Sequence, residues 1–196
     1  MNDIVIENLN KSFGNKKVLE NFNCTFPANT ISCIMAPSGY GKTTLLRIIM
    51  GLEKADSGKI SGTDNCRISV VFQEDRLCEN LTAQANIRLV NKKLNKQSVV
   101  NAMREVGLTT QFDQPVREFS GGMKRRIAVL RALMAEYEIL ILDEPFKGLD
   151  EQTKKQMIEY TLNHCKDKTV LFVTHDPAEI KAMSARLFKM DELNKI

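Results

Sequence analysis

The chain has 196 residues, of which 43% are hydrophobic and 27% charged, with a formal net charge of +4. That supplies one sizeable core in an ordinary soluble composition, and the basic residues are spread along the chain, which argues against nucleic acid as a partner. Its five cysteines (Cys24, Cys33, Cys66, Cys78, Cys165) form no Cys-x-x-Cys pair, against a disulfide framework or zinc site and in favour of a reducing compartment. No apolar run approaches the ~20 residues of a membrane helix, and Asp3 and Glu7 interrupt the apolar start, so no signal peptide is expected. The expected location is the cytoplasm.

In chain order, residues 4–9 read as a strand. Phe22, Cys24 and Phe26 alternate with polar residues, as in a half-buried strand ending at Pro27. Residues 30–35 form a short apolar strand, and Ala36-Pro-Ser-Gly-Tyr-Gly-Lys-Thr-Thr44 leads from it into a helix over 45–50. A turn at 55–58 precedes a short edge strand at 59–61, and residues 68–72 are a buried strand ending at Gln73. Strand patterns then vanish. Helices are expected over 82–90, 98–106 and 121–136, with Ser98 as a cap and Lys124-Arg125-Arg126 as a solvated face. Residues 139–142 return to strand and run into Asp143-Glu144. A helix over 151–166, a buried strand over 169–173 ending in Thr174-His175-Asp176, a short helix over 178–184 and a last strand over 186–190 complete the chain. The expected fold class is α/β, a nucleotide-binding core over 1–73 and 137–196 with an antiparallel β part, and a helical insertion over 74–136.

The segment 36–44 has the residues of a phosphate-binding loop. Gly39 and Gly41 let backbone N–H groups curl around an anion, and the following helix aims its N-terminus at the same place. Lys42 reaches the β- and γ-phosphates, and the Thr43 hydroxyl suits Mg²⁺. A strand ending in Asp143 and Glu144 is costly without a cation, and beside a phosphate loop Mg²⁺ is the natural partner of Asp143. Glu144 is then placed to polarise an attacking water. Gln73 and His175 also follow strand ends, where ligands of open α/β sheets gather: the Gln73 amide can touch Mg²⁺ or the water, and His175 the γ-phosphate. Ser120-Gly121-Gly122 opens the long helix as a cap, a second N-terminus suited to phosphate.

Taken together, these residues resemble the ATPase subunit of an ABC (ATP-binding cassette) transporter over about residues 2–190. Residues 36–44 are similar to Walker A, Gln73 to the Q-loop, 119–123 to the signature, 139–144 to Walker B, 148–150 to the D-loop, and His175 to the switch histidine. The resemblance implies ATP and Mg²⁺ as ligands. It implies adenine stacked on Phe13 beside Val18, and phosphates held by Ala36, Pro37, Ser38, Gly39, Tyr40, Gly41, Lys42, Thr43 and Thr44. Gln73, Asp143 and Thr43 would serve the metal, Glu144 would be the catalytic carboxylate and His175 the γ-phosphate sensor. It further implies a head-to-tail homodimer in which Ser120, Gly121 and Gly122 of one chain meet the nucleotide of the other and Asp150 links the two sites.

The implied partners are transmembrane permease subunits, which would hold the chain on the inner face of the membrane, and indirectly an extracytoplasmic substrate-binding protein. Val71-Phe-Gln-Glu-Asp-Arg-Leu77, Ser-Gly-Gly-Met123 and Asp-Glu-Pro-Phe146 resemble cassettes of the nitrate/sulfonate/taurine importers. The alternative is a soluble ABC ATPase acting on ribosomes or DNA; such proteins usually carry two cassettes, coiled coils or zinc motifs, and none is seen here. Departures from the family pattern are Ala36 for the first Walker A glycine, bulky Tyr40, Met123 for the signature glutamine, and Lys147 where small residues are common. The chain stops shortly after its last strand, so no C-terminal regulatory domain is expected.

Overall fold

The computed structural model describes residues 1–110 and 112–193. Two long strands, β1 (Ile4–Phe13) and β2 (Lys16–Phe26), form an antiparallel hairpin turning at Gly14, whose φ of +57° suits glycine. Both run further than the hydrophobic alternation indicates, because bulges break the period. Asn8 and Asn21 sit at positive φ where the register shifts. Asparagine side chains take up the backbone groups that the ladder loses: Asn8 N–H donates to Asn23 Oδ1 at 2.8 Å, and Asn21 N–H to Asn10 Oδ1 at 2.9 Å. A third strand, β4 (Ser57–Ser61), pairs with β1.

Strand β3 (Ile31–Met35) leads into α1 (Lys42–Ile49), which begins three residues earlier than its apolar pattern suggests. With β5 (Ile68–Val71), β6 (Ile139–Asp143), β7 (Thr169–Val173) and β8 (Arg186–Lys189), β3 forms a parallel sheet in the order β5-β6-β7-β3-β8. Its central strands are mostly apolar because both faces are covered, with Ser32 and Thr169 as buried polar exceptions. Ile139, Ile141, Leu171 and Val173 pack with α1 and the hairpin. Leu140, Leu142, Val170 and Phe172 pack with the helices on the opposite face.

Those helices are α2 (Ala83–Arg88), α3 (Lys96–Glu105), α4 (Gly121–Leu133) and α5 (Glu151–His164). Between β5 and β6 the described residues hold helices and one isolated bridge, Thr82 to Pro115, but no strand. The cap of α3 is Asn95, whose side chain accepts from Ser98 N–H, so Ser98 lies within the helix rather than capping it. Helix α6 (Pro177–Ala182) follows β7, and a turn of helix, α7 (Met190–Leu193), follows β8 where the sequence reading ends in strand.

The basic run on α4 is not a solvated face. Arg125 is 4% exposed. It donates to the carbonyls of Phe72 (2.7 Å), Asp143 (2.8 Å), Glu144 (2.6 Å) and Pro145 (3.0 Å), and it meets Asp75 Oδ1 at 3.1 Å. Arg126 donates to Val106 O, and Lys124 pairs with Glu79. The guanidinium has five donors, and orphaned carbonyls at two strand ends supply the acceptors that make its burial tolerable.

Candidate nucleotide-binding site

Residues 36–41 cross from β3 to α1 over the carboxyl edge of the parallel sheet. Gly39 and Gly41 have φ of +85° and +86°. Gly41 has a second reason to be glycine: a Cβ there would stand 2.9 Å from Val18 Cγ1 and 3.0 Å from Val18 O. Strand β2 therefore presses the loop against the sheet. Gly41 is also the N-cap of α1 and supplies no side-chain acceptor, and the first turn carries no acidic residue. By contrast Thr82, Asn95, Ser120, Asp150 and Asp176 each accept a backbone N–H of the helix they precede. The first N–H groups of α1 are thus left for an anion from outside.

In the loop, Lys42 Nζ donates to the carbonyls of Ala36 (2.5 Å) and Pro37 (3.0 Å), which curls its ammonium over the nest. Burial lowers the Lys42 pKa from its usual value, while Asp143 and Glu144 act to raise it. Ala36 has its methyl buried in the core, and its φ is not among the positive ones. An alanine therefore fits where the family pattern has glycine.

A cleft of about 410 Å³ opens above the loop. Phe13, Val18, Ser38, Gly39, Gly41, Lys42, Thr43, Thr44, Gln73, Asp143, Glu144 and His175 line it, together with Lys16 and Val173, which sequence reasoning missed. Lys16 had a readable signal, a cation across the turn from the exposed Phe13. Ala36 and Pro37 contribute carbonyls beneath the cleft. Tyr40 is half exposed and is not part of its wall.

Asp143 ends β6 and Glu144 follows it directly. The Asp143 carboxyl is raised above the usual range, first by burial and then by the Glu144 charge, against the pull of Arg125, Lys42 and Lys147. Glu144 has φ +48°, an uncommon conformation for a non-glycine residue. Its N–H donates to Val173 O at 2.9 Å, tying it to β7. Its carboxylate meets His175 Nε2 at 3.4 Å and Lys147 Nζ at 2.8 Å. The His175 loop is held from behind: Lys154 reaches Asp176 at 3.1 Å, and Thr174 Oγ1 donates to buried Glu179 at 2.5 Å.

Ser120, Gly121, Gly122 and Asp150 are not brought to this cleft. Ser120 Oγ accepts from Met123 N–H at 3.3 Å, and Asp150 Oδ1 from Thr153 N–H at 2.9 Å, both as helix caps. Gly121 faces open space. Gly122 lies beside the 148–149 segment, where an added Cβ would make ordinary contact with Leu149.

A Gly-rich loop, an uncapped helix N-terminus, a lysine above the nest and carboxylates at the end of β6, one strand removed from β3, define a P-loop nucleotide-binding site. A family model described as ABC transporter matches residues 19–147. The chain is 36% identical over 211 residues to the sulfate/thiosulfate import ATP-binding protein CysA of Mannheimia succiniciproducens, covering 96% of this chain and 59% of that protein. It is 35% identical to the spermidine/putrescine import ATP-binding protein PotA of Acetivibrio thermocellus, covering 96% of this chain and 58% of that one. It is 33% identical to an uncharacterized ABC transporter ATP-binding protein of Haemophilus influenzae, covering 93% and 80%. The chain belongs to the ABC transporter family, and it spans less than two thirds of the length of the CysA and PotA relatives. These relatives do not specify the nitrate/sulfonate/taurine group.

Proposed function

We propose that the chain is the ATP-hydrolysing subunit of a bacterial ABC importer, working as a pair with a second ATPase subunit, and that permease subunits hold it on the cytoplasmic face of the membrane. The observation that carries the reading is the bare N-terminus of α1 facing a cleft that also holds Lys42, Glu144 and His175. No helix among the described residues is long and apolar enough to cross a membrane, so the pathway across it would belong to other subunits. The names of the sulfate/thiosulfate and spermidine/putrescine relatives support import as the direction.

In this reading adenine stacks on Phe13 beside Val18, and Ala36 to Thr44 cradle the triphosphate. Lys42 leaves its two carbonyls for the β- and γ-phosphates. Glu144 accepts a proton from the attacking water, and His175 hydrogen-bonds the γ-phosphate. Thr43, Asp143 and Gln73 bring a hydroxyl, a carboxylate and an amide oxygen to the same wall, a hard donor set that fits Mg²⁺. No cluster of three or more His, Cys, Asp or Glu ligands occurs among the described residues, so the ion would arrive with the nucleotide rather than in a protein cage. When bound, it neutralises phosphate charge.

Ser120, Gly121 and Gly122 would complete the site of the opposite chain in a head-to-tail homodimer, with Asp150 between the two sites. Residues 74–136 would form the helical subdomain that meets the permease, set into the core of 1–73 and 137–196. An extracytoplasmic binding protein would deliver the cargo to the permease.

Glu144→Gln tests this directly. We expect ATP binding to persist, steady-state hydrolysis to fall at least ~100-fold, and an ATP-dependent dimer to accumulate in gel filtration. Hydrolysis at the parent rate would remove Glu144 from the mechanism.

A further inference from the structure

Lys147 lies outside the phosphate cradle, yet its ammonium sits 2.8 Å from Glu144 Oε2 while His175 Nε2 stands 3.4 Å from Oε1. Both oxygens of the carboxylate are therefore engaged. The turn fixes this contact: Glu144 is at φ +48°, Lys147 N–H donates back to Glu144 O at 3.3 Å, and Phe146 between them is anchored in the core. Glu144 and His175 line the triphosphate cleft and also a second hollow beside it. Lys147 lines only the second hollow, so it pulls the carboxylate from the side away from the triphosphate. Lys147 itself is 63% exposed and supports no packing that would account for the contact.

We propose that Lys147 is a positioning residue that restrains the Glu144 carboxylate in the resting protein and so holds down ATP turnover. The inference rests on Glu144 acting as proposed above. A carboxylate that takes a proton from water must turn a lone pair to that water and give up charge as it does so. A cation hydrogen-bonded to it opposes both. The restraint is a partly exposed ion pair, so it is weak enough for a closing, phosphate-filled site to break.

The test compares steady-state ATP hydrolysis by the parent, Lys147→Ser, Lys147→Gln and Lys147→Arg, with Glu144→Gln alongside. We expect kcat to rise about two- to fivefold in the Ser and Gln variants, the span a partly exposed ion pair can hold back. KM for ATP should stay unaltered, and Lys147→Arg should bring kcat back towards the parent. A structural role alone would not raise kcat, nor would it be restored by charge. Uncharged variants no faster than the parent, or an Arg variant as fast as Ser, overturn the restraint. If Glu144→Gln is inactive in that experiment, only this inference has failed; if Glu144→Gln still turns over ATP, the reading of the site has failed first.

Discussion

At the scale of single residues, Ala36 and Lys42 separate the structural from the binding part of the loop. The Ala36 methyl belongs to the core beneath the nest, while Lys42 Nζ lies over it on two carbonyls. We expect Ala36→Gly to leave the ATP dissociation constant within about twofold while lowering stability by about 1 kcal/mol through the lost methyl and added backbone freedom. Lys42→Ala should weaken nucleotide binding severely with little change in the unfolding midpoint. Calorimetric titration and urea unfolding of both variants check the pair, and the reverse order would show a different loop. The loop, the Asp143-Glu144 strand end, Gln73 and His175 were all legible in the sequence because each motif is local: glycine spacing and apolar runs that stop at a polar residue. Val173 enters through tertiary folding alone, whereas Lys16 follows from its place across the hairpin turn from Phe13. Arg125 was masked by its setting, since three consecutive basic residues on a helix read as solvated until the acceptors, 18 to 53 residues away in the chain, come into place.

At the scale of elements, α4 is bound to the strand ends by Arg125 rather than by apolar packing alone. Replacing it with alanine leaves four carbonyls short of a donor at buried and partly buried positions. We expect Arg125→Ala to cost about 3 kcal/mol in urea unfolding. Turnover should also fall, because Glu144 O is one of the carbonyls released. Arg125→Lys should recover only part of either loss, since an ammonium cannot span the same acceptors. Elements were readable where period and length agreed, as in β6, β7 and α5. The β1–β2 hairpin was underestimated because bulges at Asn8 and Asn21 shift the alternation that marks a strand. The start of α1 was set late because its first turn, Lys42-Thr-Thr44, is polar and serves the cleft rather than the core.

For the whole molecule, the two edges of the parallel sheet carry opposite kinds of electrostatics. The carboxyl edge gathers groups that await a ligand. At the other edge Arg67 and Glu138 satisfy each other: Glu138 accepts from Arg67 Nη2 at 2.6 Å and from its backbone N–H at 2.8 Å, which draws the starts of β5 and β6 together. These contacts, the Arg67 side chain first, hold the Glu138 carboxyl down at about 2 from an ordinary 4.5. A depressed carboxyl contributes stability that is fully present above its unfolded value and is lost as pH falls through the folded one. The urea midpoints of the parent and Glu138→Gln should therefore differ by a constant amount above pH ~4.5 and converge as pH falls towards 2. ATP affinity near neutrality should be the same for both.

The alternation along β6 has a mechanical meaning. Ile139 and Ile141 belong to the core with α1 and the hairpin, and Leu140 and Leu142 to the core with the helices opposite. The strand that ends in Asp143 and leads into Glu144 is therefore a party wall, loaded from both rooms. A disturbance that begins in either core reaches the two carboxylates by way of one five-residue strand. Their alignment thus reports on the packing of the whole molecule.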